Sequence, residues 1–288
     1  MFTDILVYFC HAAVVVFGCL TVLWAISVAA KDASLIDIFW GFGFLLVAGV
    51  CLYLVREKTP YLILLAALPM IWGLRLTLYL GKRNLGHGED VRYVAMRKRA
   101  EKKGMSETRW RLRSLLTIYF GQGLLIMIVS APIWVGMATG AGYWPESHPT
   151  LAYQPYVTPI GFLSLIGTAL WLIGFLFEAI GDAQLSKFMK KMKSYKGAYE
   201  DKPILDTGLW KYTRHPNYFG NACIWWGIWL VACEAPWGWA TIFAPIIMNL
   251  LLVKISGKDL LERSLKKRPA YVDYMTRTSG FFPRRPKR

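Results

Sequence analysis

ILVYFCHAAVVVFGCLTVLWAISVAA, residues Ile5–Ala30, is the stretch from which the fold is read. It carries no Asp, Glu, Lys or Arg, and it exceeds the roughly 20 apolar residues a helix needs to cross the hydrocarbon core of a bilayer. A short polar break, Lys31-Asp32, follows. The pattern then returns over Leu35–Val55, Tyr61–Leu80, Ser114–Ala138 and Pro159–Ile180. The last apolar block, Asn221–Val253, is too long for one crossing, and Glu234-Ala235-Pro236 divides it in two. The sequence therefore predicts an all-α polytopic membrane protein of seven transmembrane helices, a single integral membrane domain over residues 1–288. Composition agrees, with 55% hydrophobic residues and a positive mean hydropathy, since a soluble domain of this length breaks its apolar runs sooner. The N-terminus has no basic region and no clear small-residue cleavage site, so the first span reads as retained and not as a cleaved signal.

The net charge of +16 would ordinarily point to nucleic acid. Here the cations sit in blocks between apolar runs. Lys82–Arg113 holds eleven Lys and Arg, Asp182–Gly220 eight, and Lys254–Arg288 eleven, whereas the opposite loops hold only Arg56 and Lys58. Thr139–Thr158, rich in Gly, Pro and Tyr, has none. With seven spans the three basic segments fall on one side, which places the N-terminus outside and the C-terminus in the cytoplasm. Topology and attraction to anionic lipid account for the basic segments without a ligand; a ligand-binding role is the alternative. No nucleic acid, metal or obligate protein partner is expected. The five cysteines, Cys10, Cys19, Cys51, Cys223 and Cys233, lie in or beside apolar runs without C-x-x-C spacing and read as small buried hydrophobes.

Polar residues inside the spans point beyond a plain bundle. Asp37 lies at the start of the second span, Arg75 midway in the third, Gln122 in the fourth, and Glu178 and Asp182 close the fifth. Ionisable groups in a membrane are costly and usually pair or line a functional cavity. The bland readings are an Asp37–Arg75 ion pair and an interfacial Asp182. The segments Lys82–Tyr93 and Thr213–Gly220 mix cations, amides, aromatics and glycines, the first with Glu89 and Asp90 as well. A nucleotide cofactor asks for this mixture: Arg and Lys for phosphates, carboxylates for ribose hydroxyls, glycines for close backbone approach. Neither G-x-G-x-x-G after a strand nor a P-loop is present. In the tail, Tyr271, Tyr274 and Arg277 share a helical face, which also fits an interfacial aromatic belt with a snorkelling arginine.

The run Thr207-Gly208-Leu209-Trp210-Lys211-Tyr212-Thr213-Arg214-His215-Pro216-Asn217-Tyr218-Phe219-Gly220 resembles the cofactor motif of the steroid 5α-reductase family, closest to its bacterial branch, long catalogued as a domain of unknown function. Asp37-Ile38-Phe39-Trp40-Gly41, Trp72-Gly73-Leu74-Arg75-Leu76, Arg83-Asn84 through Glu89-Asp90-Val91-Arg92-Tyr93, and Arg277-Thr278-Ser279 support the resemblance, which covers Ser34 to Pro283. Isoprenylcysteine carboxyl methyltransferases carry a related His-Pro-x-Tyr-x-Gly, and sterol C14-reductases a similar Arg-His-x-Asn-Tyr. The resemblance implies a bacterial inner-membrane enzyme of lipid metabolism, with NADPH held from the cytoplasmic side and an apolar substrate entering from the lipid. It implies a nicotinamide-side role for Asn217 and Tyr218, and a cofactor contact for Asp182 and, less directly, Glu178, which stands where some reductases have Asn. Arg83, Asn84 and Arg92 would lie near phosphates and adenosine, with Glu89, Asp90, Tyr93, Tyr212, Arg214, His215, Tyr274 and Arg277 completing the cofactor set. Asn221 departs from the Glu that often follows the motif glycine.

The chemistry can be set out independently. Hydride addition to an enone β-carbon places negative charge on the carbonyl oxygen, which a hydrogen-bond donor stabilises. A lipid-embedded carboxylic acid kept protonated by desolvation would serve, so Asp37 is the expected donor, with Trp40, Trp72 and Arg75 lining the pocket. An Arg75 too close to Asp37 would hold it ionised and defeat that role. The rival expectation is an S-adenosylmethionine-dependent methyltransferase of a lipidic acceptor, using His215, Tyr218, Glu262, Tyr274 and Arg277; a lipid-binding or transport protein is the non-enzymatic alternative.

Overall fold

A computed structural model describes residues 2–141, 159–255 and 257–287. Most of the loop expected over Thr139–Thr158 lies outside the described residues. The helices are α1 (Phe2–Ala30), α2 (Leu35–Leu54), α3 (Pro60–Asn84), α4 (Val91–Lys102), α5 (Glu107–Ser114), α6 (Gly121–Val129), α7 (Ala131–Gly140), α8 (Phe162–Met192), α9 (Pro216–Ala232), α10 (Phe243–Leu250), α11 (Lys258–Leu265) and α12 (Pro269–Arg277). A π-helical stretch, Leu115–Phe120, joins α5 to α6, and another, Leu251–Ile255, extends α10. No strand occurs among the described residues. Five helices are long and apolar enough to cross a membrane: α1, α2, α3, the continuous Glu107–Val129, and α8. The final apolar block does divide near Glu234, into α9 and the shorter apolar stretch Gly238–Lys254.

The surfaces of these helices are what a bilayer demands. α1 buries a stripe at every fourth residue, Tyr8, Ala12, Val16 and Leu20, while Val14 and Val22 on other faces are 74% and 61% exposed. An apolar helix with an apolar exposed face suits a hydrocarbon solvent, because lipid tails leave such side chains no reason to turn inward. Helix starts are capped where water and headgroups would compete for the backbone: the hydroxyls of Thr59 and Ser106 accept from Leu62 N and Arg109 N, and the Asp90 carboxylate from Arg92 N.

The fourth span differs from expectation in both its ends. It begins seven residues earlier, at Glu107, behind the Ser106 cap, and stops at Val129. Pro132 has no N–H to give the preceding turn, so the helix breaks at Ser130 and restarts as α7. The Met127 carbonyl beside this break accepts from the Trp134 indole at 3.0 Å and the Ser130 hydroxyl at 3.2 Å. In hydrocarbon such side-chain donors are needed, since no water replaces the lost backbone bond.

The chain divides into two compact units, one of Met1–Ser164 with Val231–Thr241, the other of Leu165–Leu230 with Ile242–Arg288. In the first, α2 and α3 cross backbone to backbone: a Cβ on Gly41 would stand 2.6 Å from Gly73 O, and one on Gly73 2.5 Å from Gly41 O. Phe44, Tyr61, Leu62, Leu65 and Trp72 fill the core around that crossing. The second unit uses the same device on α8 and α9. Gly167, Gly174 and Gly181 repeat every seven residues on α8, and Gly220 and Gly227 on α9. A Cβ on Gly220 would meet Gly174 O at 2.5 Å, and one on Gly227 would meet Gly167 O at 2.5 Å. Partner numbers fall on one helix as they rise on the other, so the two run antiparallel.

A paired substitution tests this close approach. Gly174→Ala inserts a methyl group against Cys223 Cβ at 2.8 Å, whereas at Gly49, also helical, no atom lies within 4 Å. Gly174→Ala should lower the thermal midpoint of detergent-solubilised protein by the equivalent of about 2 kcal/mol. Gly49→Ala should leave the midpoint unchanged or raise it by up to about 1 kcal/mol, through helix propensity. Equal responses would refute backbone contact between α8 and α9.

Candidate functional site

Because α8 and α9 touch along their glycines, short polar side chains bridge them. Asp182 Oδ1 accepts from Asn217 Nδ2 at 3.0 Å, and one turn further on Glu178 Oε2 accepts from Asn221 Nδ2 at 3.3 Å. Both carboxylates sit four residues apart on α8 and both amides four apart on α9, the spacing that puts side chains on one helical face. Glu178 and Asp182 are each 4% exposed and Asn221 6%. The Asn221 amide must present its NH2 to a carboxylate, which fixes its orientation. Its Oδ1 then points away, buried and without a partner among the described residues. Asn217 Oδ1 accepts from Tyr218 N at 3.1 Å, and the Tyr218 ring lies parallel to His215, centroids 5.3 Å apart.

Beside this ladder, Arg214 gathers the loop before α9 and the C-terminal tail. Its Nε donates to Glu262 at 3.0 Å, its Nη1 to the carbonyls of Thr278 at 2.6 Å and Met275 at 3.2 Å, and its backbone N to Ser279 O. Glu262 also accepts from His215 Nε2 at 3.0 Å. Burial works against the Glu262 charge, but the hydrogen bonds from His215 and Arg214 prevail and hold its carboxyl down to about 2. Burial lowers the His215 pKa below the usual histidine value, against the pull of Glu262. Arg214 thus supplies the positive charge of the trio, and His215 acts as a neutral donor.

Other expected cofactor residues of this unit have internal partners. Tyr274 is 1% exposed, and its hydroxyl donates to Trp210 O. Arg277 bridges Asp206 at 3.1 Å and Asp273 at 3.0 Å, with its side chain 40% exposed. Tyr212 is exposed, and its carbonyl accepts from Arg284 N.

In the first unit, the motif around residue 90 closes onto the start of α2. Arg92 forms an ion pair with Asp37 and a second with Asp90, and Tyr93 donates its hydroxyl to Asp37 Oδ1 at 2.7 Å. Gln122 Nε2 lies 3.4 Å from that hydroxyl. Burial, reinforced by the charge of Asp37, raises the Tyr93 pKa, so the phenol keeps its proton. Glu89 accepts from Ala33 N at 2.9 Å and pairs with Arg97 at 2.7 Å. Asp37, expected as a protonated donor, thus has a cation, Arg92, as its neighbour and accepts from Tyr93. Arg75 lies over the Tyr79 ring at 5.2 Å, as does Arg83 at 5.7 Å, and Arg83 Nε donates to Asn84 Oδ1. Trp40 and Trp72 both pack on Phe44.

One functional-looking group goes beyond the sequence reading: Glu234, there part of a break between spans, accepts from Ser164 N at 3.0 Å and caps the start of α8, a carboxylate near a helix N-terminus. Glu262 entered only through the methyltransferase alternative, and its two donors lie 47 and 48 residues away in the chain. Among the described residues no group of three or more His, Cys, Asp or Glu could hold a metal ion.

The family model described as "Protein of unknown function (DUF1295)" matches residues 23–278, so the chain belongs to that family, which is steroid 5α-reductase-like. The Schizosaccharomyces pombe protein "Uncharacterized protein C594.04c" is 26% identical over 275 residues, spanning 91% of this chain and 76% of that protein. No solved structure matches the chain. The matched region includes both polar clusters.

The trio Arg214–Glu262–His215 makes stability depend on acid. A depressed His215 pKa means the unfolded chain binds more protons below the ordinary histidine value of 6.5, so stability is complete above that pH and falls as pH drops below it. The Glu262 contribution is present above 4.5 and is lost as pH falls toward about 2. The thermal midpoint of the purified protein should therefore decline from about pH 7 to pH 5. His215→Gln, which keeps an N–H for Glu262, should flatten that part of the profile. An unchanged slope in the variant would count against a buried neutral histidine.

Proposed function

We propose that this protein is a membrane-embedded, NADPH-dependent reductase of the C=C bond of an apolar enone, steroid-like or a similar lipid. The observation that carries the reading is the buried ladder Asp182–Asn217 and Glu178–Asn221, ending in an acceptor, Asn221 Oδ1, that finds no donor among the described residues. A buried acceptor left unpaired costs about 1–3 kcal/mol, and the carboxamide NH2 of a nicotinamide is a donor of the right kind. The ladder fits that end of the cofactor. Exposed cations of the second unit, Lys211 and the outer edge of Arg277, are the residues assigned to phosphate. Arg214 is not among them, because its Nε and Nη1 are committed to Glu262 and the tail carbonyls.

When bound, NADPH supplies a hydride. What the chain must add is a donor for the carbonyl oxygen on which charge develops. Asp37, expected for that role, pairs with Arg92 and accepts the single proton of the Tyr93 hydroxyl, so neither group has a donor to spare as it stands. The methyltransferase alternative loses support, since Glu262, which it would use, is engaged by Arg214 and His215.

Purified protein in detergent should bind NADPH, be stabilised by it more than by S-adenosylmethionine, and oxidise it in the presence of testosterone or a similar enone. An acetylpyridine analogue of the cofactor lacks the carboxamide NH2, and should bind about fivefold to tenfold more weakly than NADPH. Asn221→Leu should abolish that preference. Absence of NADPH binding, with no enone-dependent oxidation, would refute the reading.

A further inference from the structure

A second polar site lies in the first unit, apart from the residues assigned above. A cavity of about 320 Å³ opens where α1 ends, lined by Ser27, Lys31, Arg97, Glu101, Trp110 and Arg111 among others. Its walls are fastened together: the Trp24 indole donates to Arg111 O at 3.1 Å and to Ser114 Oγ at 3.2 Å, tying α1 to α5. Its depth is set by α1, whose apolar run ends at Ala30 with Ile26 still 52% exposed one turn earlier. A cavity at the polar end of an apolar span lies at the level of lipid headgroups.

The charges in this cavity are of both signs, and several lack a partner. Arg97 is pinned at one edge by Glu89, itself fixed by Ala33 N. Its Nε is buried and has no hydrogen-bond partner among the described residues. Lys31 and Glu101 form no ion pair among the described residues, whereas Arg111 is paired with Glu107. Lys31 also holds a left-handed backbone, φ 55°, a conformation uncommon outside glycine, so a lysine stands here despite the backbone's preference. A simple anion would meet Arg97 and Lys31 but also the Glu101 and Glu107 carboxylates. A zwitterion uses both sets.

We propose that this cavity binds the headgroup of a zwitterionic phospholipid, phosphate on Arg97 and Lys31 and a primary ammonium on Glu101. The ammonium must be able to donate, which favours phosphoethanolamine over phosphocholine. The inference does not depend on the reductase reading.

The test is native mass spectrometry of the full-length protein in detergent, titrated with phosphatidylethanolamine, phosphatidylcholine and phosphatidylglycerol of identical acyl chains. Phosphatidylethanolamine should bind at least about tenfold more tightly than either, the worth of one charge-assisted hydrogen bond. Glycerophosphoethanolamine should displace it and inorganic phosphate should not, which separates a headgroup site from a free-phosphate site. Glu101→Gln should erase the preference, whereas Arg97→Gln and Lys31→Gly should each weaken the binding of all three lipids. Lys31→Gly relieves the left-handed backbone, so it reads out binding even where Arg97→Gln, losing Glu89, fails to fold. Equal binding of the three lipids, displacement by inorganic phosphate, a preference that survives Glu101→Gln, or unweakened binding in Lys31→Gly would overturn the proposal.

Discussion

Backbone contact between α8 and α9 is the constraint on which the second unit depends. A helix pair held apart by leucines leaves 8–10 Å between axes, and short amides could not then reach carboxylates across it. With glycine against glycine, Asn217 and Asn221 meet Asp182 and Glu178 directly. Lipid makes that contact necessary as well as permissible. In a hydrophobic solvent, packing and hydrogen bonds hold helices together, because burying apolar surface gains little. The first unit repeats the logic with Gly41 and Gly73, then adds an ion-paired clasp from α4.

The helices were legible because the demand of a bilayer is averaged over some twenty residues and survives local irregularity. What was lost is what averaging hides. Ser130 and Pro132 lie in an unbroken apolar run, so the break between α6 and α7 left no trace in hydropathy. The boundary at Glu107 was missed because a capped, charged first turn precedes the apolar residues. The seven-residue spacing of glycines is visible in the chain, but which helix they face is not.

The candidate site was legible as a residue set and not as a set of pairs. Asp37 and Arg92 are 55 residues apart, and nothing local joins them. The sequence therefore assigns Arg92 to phosphate and offers Arg75, not Arg92, as the partner of Asp37. Conversely, two positions that looked like independent departures from the reductase pattern, Glu178 and Asn221, are hydrogen-bonded to each other. An amide and a carboxylate still face one another there, so one departure answers the other.

The glycine repeat carries a consequence for how the helices find their alignment. Glycines spaced by seven on both helices are indifferent to a slide of one heptad, about 10 Å along the axis; Gly174 would then rest against Gly227 as comfortably as against Gly220. The ladder removes that ambiguity, because a slide would bring Asn221 and Asn217 opposite apolar turns and strand two carboxylates in hydrocarbon. Smooth small-residue stripes let two helices meet anywhere, and the polar pairs act as the vernier that admits one alignment. The same four side chains proposed to read a ligand thus also index the fold.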